Sequence, residues 1–238
     1  MKNRRKPKII EIKGLSKNFG LTTALNQVNL KVDNFLTLFG PNGAGKTTLI
    51  RILSTLMKPS SGEAKINNID VLNNPVRARS QIGVISHETH LYDGLKAEEN
   101  LKFYGKLYNV KNLDKRINSL IKKVGLEHRE KDRVADFSRG MRQRLSISRA
   151  LLHDPLVLLL DEPYTGLDQH AAETLEQILD KFEDRTILQT THNLERGLKL
   201  CCQVAILVDG EIVYKANAEE IGFEELKQIY NQKVQQNE

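Results

Sequence analysis

A glycine-rich loop between an apolar run and a helical pattern constrains the fold of this chain more than any other feature. Residues 40–47 match the nucleotide-loop motif Gly-x4-Gly-Lys-Thr. The apolar residues 35–39 before the loop predict a strand, and apolar residues at helical spacing follow it. In this setting the loop amides point at phosphate oxygens, and the helix N-terminus adds positive potential. The residues predicted to bind the nucleotide are Gly40, Pro41, Asn42, Gly43, Ala44, Gly45, Lys46, Thr47 and Thr48.

Two acidic residues follow a second apolar run and supply the groups needed for hydrolysis. We expect Lys46 to reach the terminal phosphates of ATP and the Thr47 hydroxyl to bind Mg²⁺. Residues 156–160 predict a buried strand that ends at Asp161 and Glu162, and α/β sheets bind ligands at such carboxyl ends. Asp161 is predicted to hold Mg²⁺ through water, and Glu162 to orient and deprotonate the attacking water. An Asp-Glu pair alone is more often a helix cap or a turn, but Lys46 favours the hydrolytic interpretation.

Composition limits the classes to which the chain can belong. With 238 residues, 39% of them hydrophobic, the chain has enough apolar material for a core, which excludes fibrous and disordered classes. No run approaches the roughly 18 apolar residues of a membrane-spanning helix. Cys201 and Cys202 are neighbours and lack the spacing of a zinc site. The first ten residues have no apolar stretch of secretion-signal length, so we expect a reducing cytosol.

The net charge of +6 is distributed unevenly along the chain. Residues 1–10 contain basic but no acidic side chains, and a second basic excess lies between Lys102 and Arg149. A basic face toward phosphates, anionic lipid or an acidic partner explains this pattern, and so does a solvated helical surface. The charge therefore assigns no partner, and we expect none that is a nucleic acid.

Beyond the loop, strand and helix patterns succeed one another. The sequence is mainly helical from about 95 to 152, with one helix predicted to begin near Ser138 and to end before Pro155. Asp209-Gly210 is a strong hairpin signal. Strand patterns are found at 82–85, 156–160, 186–190 and 204–208. The pattern predicts an α/β sheet core with a helical insertion.

Three further segments carry a family resemblance. Phe137-Ser138-Arg139-Gly140-Met141 resembles the signature segment of ATP-binding-cassette (ABC) ATPases, and Thr165-Gly166-Leu167-Asp168 resembles their dimer-contact loop. His192 is similarly placed to the switch histidine of the family. Since all the motifs occur in the family's order, residues from about 9 to 214 are identified as an ABC ATPase.

The resemblance implies a fold and its organisation. The expected class is α/β: a P-loop NTPase with a mainly parallel sheet core, a peripheral antiparallel β-subdomain and an inserted α-helical subdomain. A single ABC ATPase domain would span 1–238. Its expected parts are an ATP-binding core at about 9–87 and 155–214, a helical subdomain at about 88–154 and a C-terminal tail at about 215–238.

The resemblance also implies a shared ATP site. Two cassettes, identical or homologous, would pair head to tail, and Ser138 and Gly140 of one would contact the ATP held by the other. A hydroxyl, an open amide and a helix N-terminus suit an anion, although Ser138 also fits an ordinary helix cap. Phe19 would stack on adenine, where a core role is the alternative. His192 would bind the γ-phosphate and position the water.

Three residues depart from the family pattern. His87 stands where the family has a glutamine that reaches the metal, and we keep it as a candidate Mg²⁺ ligand, although an imidazole cannot present a carbonyl and an amide together. Arg139 replaces the first signature glycine, and Met141 stands where glutamine is frequent. We expect Arg139 to point outward, because a guanidinium aimed at the site would crowd the γ-phosphate.

A cassette of this kind is expected to drive a transmembrane permease subunit, and to contact the inner face of the cell membrane only through it. The expected docking surface is the segment 86–95 with the helix that contains Leu101, Tyr104 and Tyr108. The motifs are most similar to exporter cassettes, and among these to the haem-exporter ATP-binding subunit of cytochrome c maturation. Drug, lipid or polysaccharide exporters and, as a different class, a soluble cassette ATPase are the alternatives.

Overall fold

The computed structural model describes residues 10–167, 169–180 and 185–235. The basic residues at the N-terminus and Asp168 of the expected dimer-contact loop lie outside the described residues. The chain divides into two compact units. The first consists of residues 1–82, 156–163 and 183–238, and the second of 83–155 and 164–182.

The strands and helices follow in a mixed order. The strands are β1 (Ile10–Phe19), β2 (Thr22–Val32), β3 (Phe35–Phe39), β4 (Ser61–Ile66), β5 (Ile69–Asp70), β6 (Ile82–Ser86), β7 (Val157–Asp161), β8 (Thr186–Thr191), β9 (Gln203–Val208) and β10 (Glu211–Asn217). The helices are α1 (Lys46–Leu53), α2 (Pro75–Arg79), α3 (Ala97–Leu107), α4 (Leu113–Lys123), α5 (Arg139–Leu151), α6 (Gln169–Asp180), α7 (Leu194–Leu198) and α8 (Phe223–Gln235).

A largely parallel sheet carries the nucleotide loop in the first unit. Five of its strands lie in the order β10-β9-β3-β8-β7, and β3 pairs in parallel with both β8 and β9. All five residues of β3 are buried, as expected for a strand covered on both faces. β9 and β10 form the predicted antiparallel hairpin, with Asp209 and Gly210 at positive φ in its turn.

The first unit also contains a separate antiparallel sheet with the strand order β2-β1-β4-β5. Together with the parallel sheet and the helical insertion, it confirms the predicted fold class. The segment 215–238, for which the sequence predicted only a tail, contains the end of β10 and the helix α8. Leu226 of α8 is fully buried in a cluster with Phe39 and Ile206, so this helix belongs to the core.

The second unit is mainly helical. α4 buries Ile117, Leu120 and Ile121, the face that its apolar spacing predicts. α5 begins one residue after Ser138, whose hydroxyl accepts a hydrogen bond from Met141 N at 3.2 Å. Ser138 is therefore a helix cap, as its sequence position allowed.

Candidate functional site

Two glycines of the loop are required by close packing in the first unit. A Cβ atom on Gly40 would lie 2.3 Å from the carbonyl oxygen of Leu207, and one on Gly45 would lie 2.3 Å from that of Ala24. Gly45 also has a φ of 103°, which side chains disfavour. The loop therefore approaches the backbones of β9 and β2 at a distance that only glycine permits.

The curled loop lines a cavity of about 190 Å³ that is partly open to solvent. No side chain caps the first turn of α1, so its backbone amides are available to an anion. The cavity is lined by Ala24, Asn42, Gly43, Ala44, Gly45, Lys46, Thr47, Thr48 and Glu162. The donors and the shape fit a chain of phosphates.

Lys46 lies at this cavity with only 6% of its surface exposed. Its Nζ donates hydrogen bonds to the carbonyl oxygens of Gly40 at 2.7 Å and Pro41 at 2.9 Å, and it lies 3.7 Å from Glu162 Oε1. Burial lowers the pKa of Lys46 below its usual 10.5, against the opposing charges of Glu162 and Asp161. A buried ammonium that is only partly compensated attracts an anionic ligand.

Asp161, the last residue of β7, and Glu162, which follows it, lie in different environments. Asp161 is buried, and the Thr190 hydroxyl donates to its Oδ1 at 2.7 Å. Glu162 has a left-handed φ of 48°, unusual for this residue type, and its amide donates to the carbonyl oxygen of Thr190 at 3.1 Å. The backbone turn separates the two carboxylates, so Glu162 faces the cavity while Asp161 is held by β8.

His192 follows β8 and contacts Glu162 directly. Its Nδ1 lies 3.0 Å from Glu162 Oε1. The His192 side chain is 57% exposed, whereas that of Glu162 is only 20% exposed. The imidazole therefore orients the carboxylate and leaves its other nitrogen free to meet a ligand.

The Mg²⁺ donors that the sequence predicted in the first unit fit the metal. A threonine hydroxyl at Thr47 and a carboxylate at Asp161 are the oxygen donors that Mg²⁺ prefers, and the metal takes its remaining ligands from water and phosphate. Among the described residues no group of three or more His, Cys, Asp or Glu side chains forms a closed metal cage. Such a site depends on the nucleotide for part of its ligand set.

The remaining candidates lie away from this cavity or in the second unit. Phe19 is 48% exposed and is not among the cavity-lining residues; Lys17 Nζ lies 5.0 Å from its ring centre. Ser138, Gly140 and His87 belong to the second unit. His87 is exposed, with its Nε2 3.8 Å from Glu88 Oε1. Their roles toward nucleotide and metal stay predictions.

Thr190 is a site residue that the sequence analysis missed. It is buried and joins Asp161 to β8 through its hydroxyl. The available signal was its place near the carboxyl end of a predicted strand, where ligand sites of α/β sheets lie. A threonine in a strand is so ordinary that the sequence offers no further reason to select it.

Comparison with known proteins identifies the family. The family model described as "ABC transporter" matches residues 25–165. The chain is 37% identical over 205 residues to the ABC transporter ATP-binding protein NatA of Bacillus subtilis, covering 83% of each chain. This chain belongs to the ABC transporter family. The ABC resemblance inferred from the motifs is confirmed.

Two further relatives are named for drug resistance. The chain is 33% identical to the linearmycin resistance ATP-binding protein LnrL of Bacillus subtilis, covering 86% of this chain and 68% of the relative. It is 35% identical to the doxorubicin resistance ATP-binding protein DrrA of Mycobacterium tuberculosis, covering 89% of this chain and 66% of the relative.

A solved structure extends the likeness to the reaction. The dimeric post-hydrolysis state of the ATP-binding cassette MJ0796, bound to ADP and Pi, matches with a TM-score of 0.80 and 27% identity, covering 88% of this chain and 98% of that one. The chain is an ABC ATPase that uses ATP with Mg²⁺ and serves as the ATP-binding subunit of a transporter. No helix in the described part of the chain is long and apolar enough to cross a membrane.

Proposed function

We propose that this ATPase powers an exporter, and that Glu162 is the general base of its hydrolytic step. The observation that carries the assignment is the contact between Glu162 and both Lys46 and His192 at one cavity. One carboxylate oxygen is held by His192, so the other is available to accept a proton from the attacking water. The magnesium ion, when bound through Thr47 and Asp161, would neutralise charge on the phosphates.

Lys46 and His192 serve the phosphates in this proposal. The Lys46 ammonium lies among loop carbonyls and can exchange these acceptors for the charged oxygens of ATP. His192 can use Nε2 toward the γ-phosphate while Nδ1 keeps Glu162 in place. An imidazole that donates from both nitrogens carries two protons, so both contacts together require the cationic form.

A second copy or a homologous cassette completes the ATP site in the proposal. Ser138 is exposed at the N-terminus of α5, and Gly140 in the first turn adds no side chain that would block an approaching phosphate. The dimeric state of the cassette MJ0796 supports this arrangement by analogy. The test is ATP-dependent dimerisation of the Glu162→Gln variant. Monomers at saturating MgATP would contradict it.

The permease would dock on an exposed aromatic surface of the second unit. Tyr92, Phe103, Leu107 and Tyr108 are between 36% and 63% exposed, and exposed apolar clusters mark interaction sites. The expected surface needs one correction, because Leu101 of the same helix is fully buried. Docking would hold the protein at the inner face of the cell membrane. Recovery from solubilised membranes without a co-eluting hydrophobic subunit would contradict this role.

For the cargo we favour a drug over haem. The support is the similarity to proteins named for linearmycin and doxorubicin resistance. The haem hypothesis rests only on the similarity of the motifs to those of haem-exporter cassettes.

The two cargo hypotheses separate in the cell that makes the protein. Replacing the chain there by its Glu162→Gln variant should increase sensitivity to doxorubicin and leave haem-loaded cytochrome c at its normal level. Loss of cytochrome c with unchanged drug sensitivity would reverse the assignment.

A further inference from the structure

Arg139 and Gly166 form a close pair inside the second unit. A Cβ atom on Gly166 would lie 2.1 Å from Cζ of Arg139, 2.3 Å from Nε and 2.4 Å from Nη2. The guanidinium of Arg139 therefore lies directly against the backbone of Gly166. Gly166 also has a left-handed φ of 75°, which glycine adopts without strain. A larger residue here would displace the Arg139 guanidinium from this position.

This contact, rather than an ion pair, holds the Arg139 side chain. Within the described residues no acidic side chain pairs with Arg139, whereas Arg142 of the same helix binds Asp93 at 2.6 Å. Arg139 is the first residue of α5, where the helix dipole disfavours a cation. The contact that the structure gives the Arg139 side chain is its packing against the backbone of Gly166. The expectation that Arg139 points outward is refined: it is exposed, and it turns onto the loop at Gly166.

We infer that Arg139 is a positioning residue for ATP hydrolysis, which fastens the turn 164–167 to the start of α5. The turn is closed by a hydrogen bond from Leu167 N to Tyr164 O at 3.2 Å, and it begins two residues after Glu162. Mobility of this turn would therefore also change the position of Glu162, the proposed general base.

The contact with Gly166 also keeps the Arg139 guanidinium away from Ser138 and Gly140 of the signature segment. Arg139 stands between Ser138 and Gly140, and a guanidinium swung toward them would occupy the place of a phosphate. The family signature has glycine at the position of Arg139. Because Gly166 has no side chain, it leaves the space that the larger Arg139 side chain occupies. This inference rests on the proposed function, in which Ser138 and Gly140 bind the ATP held by another cassette.

The contact between Arg139 and Gly166 is tested with Arg139→Ala, Gly166→Ala and the double variant, each purified as the full chain with any subunit that co-purifies. A Cβ at 166 displaces the guanidinium, so both single changes remove the same contact. Each should lower kcat about fivefold with KM for MgATP unchanged, and the double variant should be no slower than the slower single variant. Arg129→Ala is the matched control, since Arg129 is an exposed arginine of the same unit paired with Asp132. It should keep the wild-type kcat.

Amide hydrogen exchange gives a readout that does not depend on turnover. Peptides covering 163–168 should exchange faster in Arg139→Ala and Gly166→Ala than in the wild type, and at the wild-type rate in Arg129→Ala. A wild-type kcat in Arg139→Ala, unchanged exchange, or a double variant slowed by the product of the single effects would each overturn the inference. Wild-type turnover in Glu162→Gln would instead overturn the proposed function, and the exchange rates would still decide whether the contact orders the turn.

Discussion

His192 is hydrogen-bonded to Glu162, with Nδ1 3.0 Å from Oε1. The two residues directly follow different strands, β7 and β8, which are neighbours in the parallel sheet. Their contact is thus a product of strand order: parallel strands that end together bring their following residues to one edge. The imidazole fixes one oxygen of the carboxylate and limits the directions in which the other can accept a proton.

The first prediction concerns the proposed base. Glu162→Gln keeps the size of the side chain but removes its basicity, so MgATP should still bind while kcat falls by about 10²- to 10⁴-fold. Equilibrium nucleotide binding and phosphate release measure the two effects. Glu195→Gln is the control, because Glu195 is an exposed carboxylate three residues after His192. Equal losses in both variants would show that net charge, not the base, is responsible.

The second prediction concerns the residue that supports Asp161. Thr190→Val keeps the shape of a fully buried side chain but removes the hydroxyl that donates to Asp161 Oδ1. We expect the Mg²⁺ concentration for half-maximal ATPase activity to rise about tenfold, because outer-sphere partners orient metal ligands. A Mg²⁺ titration at saturating ATP measures this change.

Thr186→Val is the matched control for that experiment. Thr186 lies on the same strand and is equally buried, but its hydroxyl has no hydrogen-bond partner among the described residues. Its replacement should leave the Mg²⁺ dependence unchanged and cost no stability. A rise of the same size in both variants would mean that Thr190 acts through packing alone.

The third prediction follows from the lowered pKa of Lys46. Burial lowers this pKa below 10.5, so the free protein loses the Lys46 proton at a lower pH than an ordinary lysine does. Phosphate groups are fully ionised above roughly pH 8 and prefer the ammonium form. ATP affinity should therefore fall as pH rises through the lowered pKa, with a limiting slope of about tenfold per pH unit. Calorimetric titration between pH 8 and pH 10.5 measures it.

Lys46→Arg provides the comparison, because a guanidinium stays charged over this whole range. The ATP affinity that Lys46→Arg retains should not change with pH over this range. If the wild type also binds ATP equally from pH 8 to pH 10.5, Lys46 does not supply the charge on which binding depends.

Much of the fold, and those candidate site residues that lie in short sequence motifs, could be predicted from local sequence patterns. The nucleotide loop is recognisable because its glycines, lysine and threonine lie next to one another in sequence, between a strand and a helix. The hairpin at Asp209-Gly210 is equally local, since its turn needs residues that tolerate positive φ. Glu162 and His192 were recognisable as strand-end residues of a family motif.

The contacts that the sequence did not reveal join residues that are distant in the chain. Strand alternation tells which face Thr190 occupies, but the partner of its hydroxyl depends on strand order and rotamer. The position of Arg139 on Gly166 depends in the same way on how a turn packs on a helix. The buried role of Leu226 in α8 depends on a core assembled from β9 and Phe39. Such contacts follow from tertiary packing, which local propensity does not encode.

The last prediction concerns Gly197, which packs against the residues that immediately precede the nucleotide loop and His192. Gly197 of α7 packs so closely that an added Cβ would lie 2.3 Å from Cε1 of Phe39 and 2.8 Å from Cγ2 of Thr191. Phe39 immediately precedes Gly40, and Thr191 immediately precedes His192. Gly197→Ala must therefore push at once on the residue before the nucleotide loop and on the residue before His192.

We expect Gly197→Ala to lower the free energy of unfolding by about 1–3 kcal/mol, since overpacking a buried site outweighs the gain in helix propensity. ATP affinity and kcat should fall together, because the loop and His192 both shift. Gly222→Ala is the control, as a Cβ there meets nothing within 4 Å. Denaturant unfolding and ATPase assays on both variants test this prediction. If Gly197→Ala changes stability and activity no more than Gly222→Ala does, then α7 can move away from Phe39 without cost.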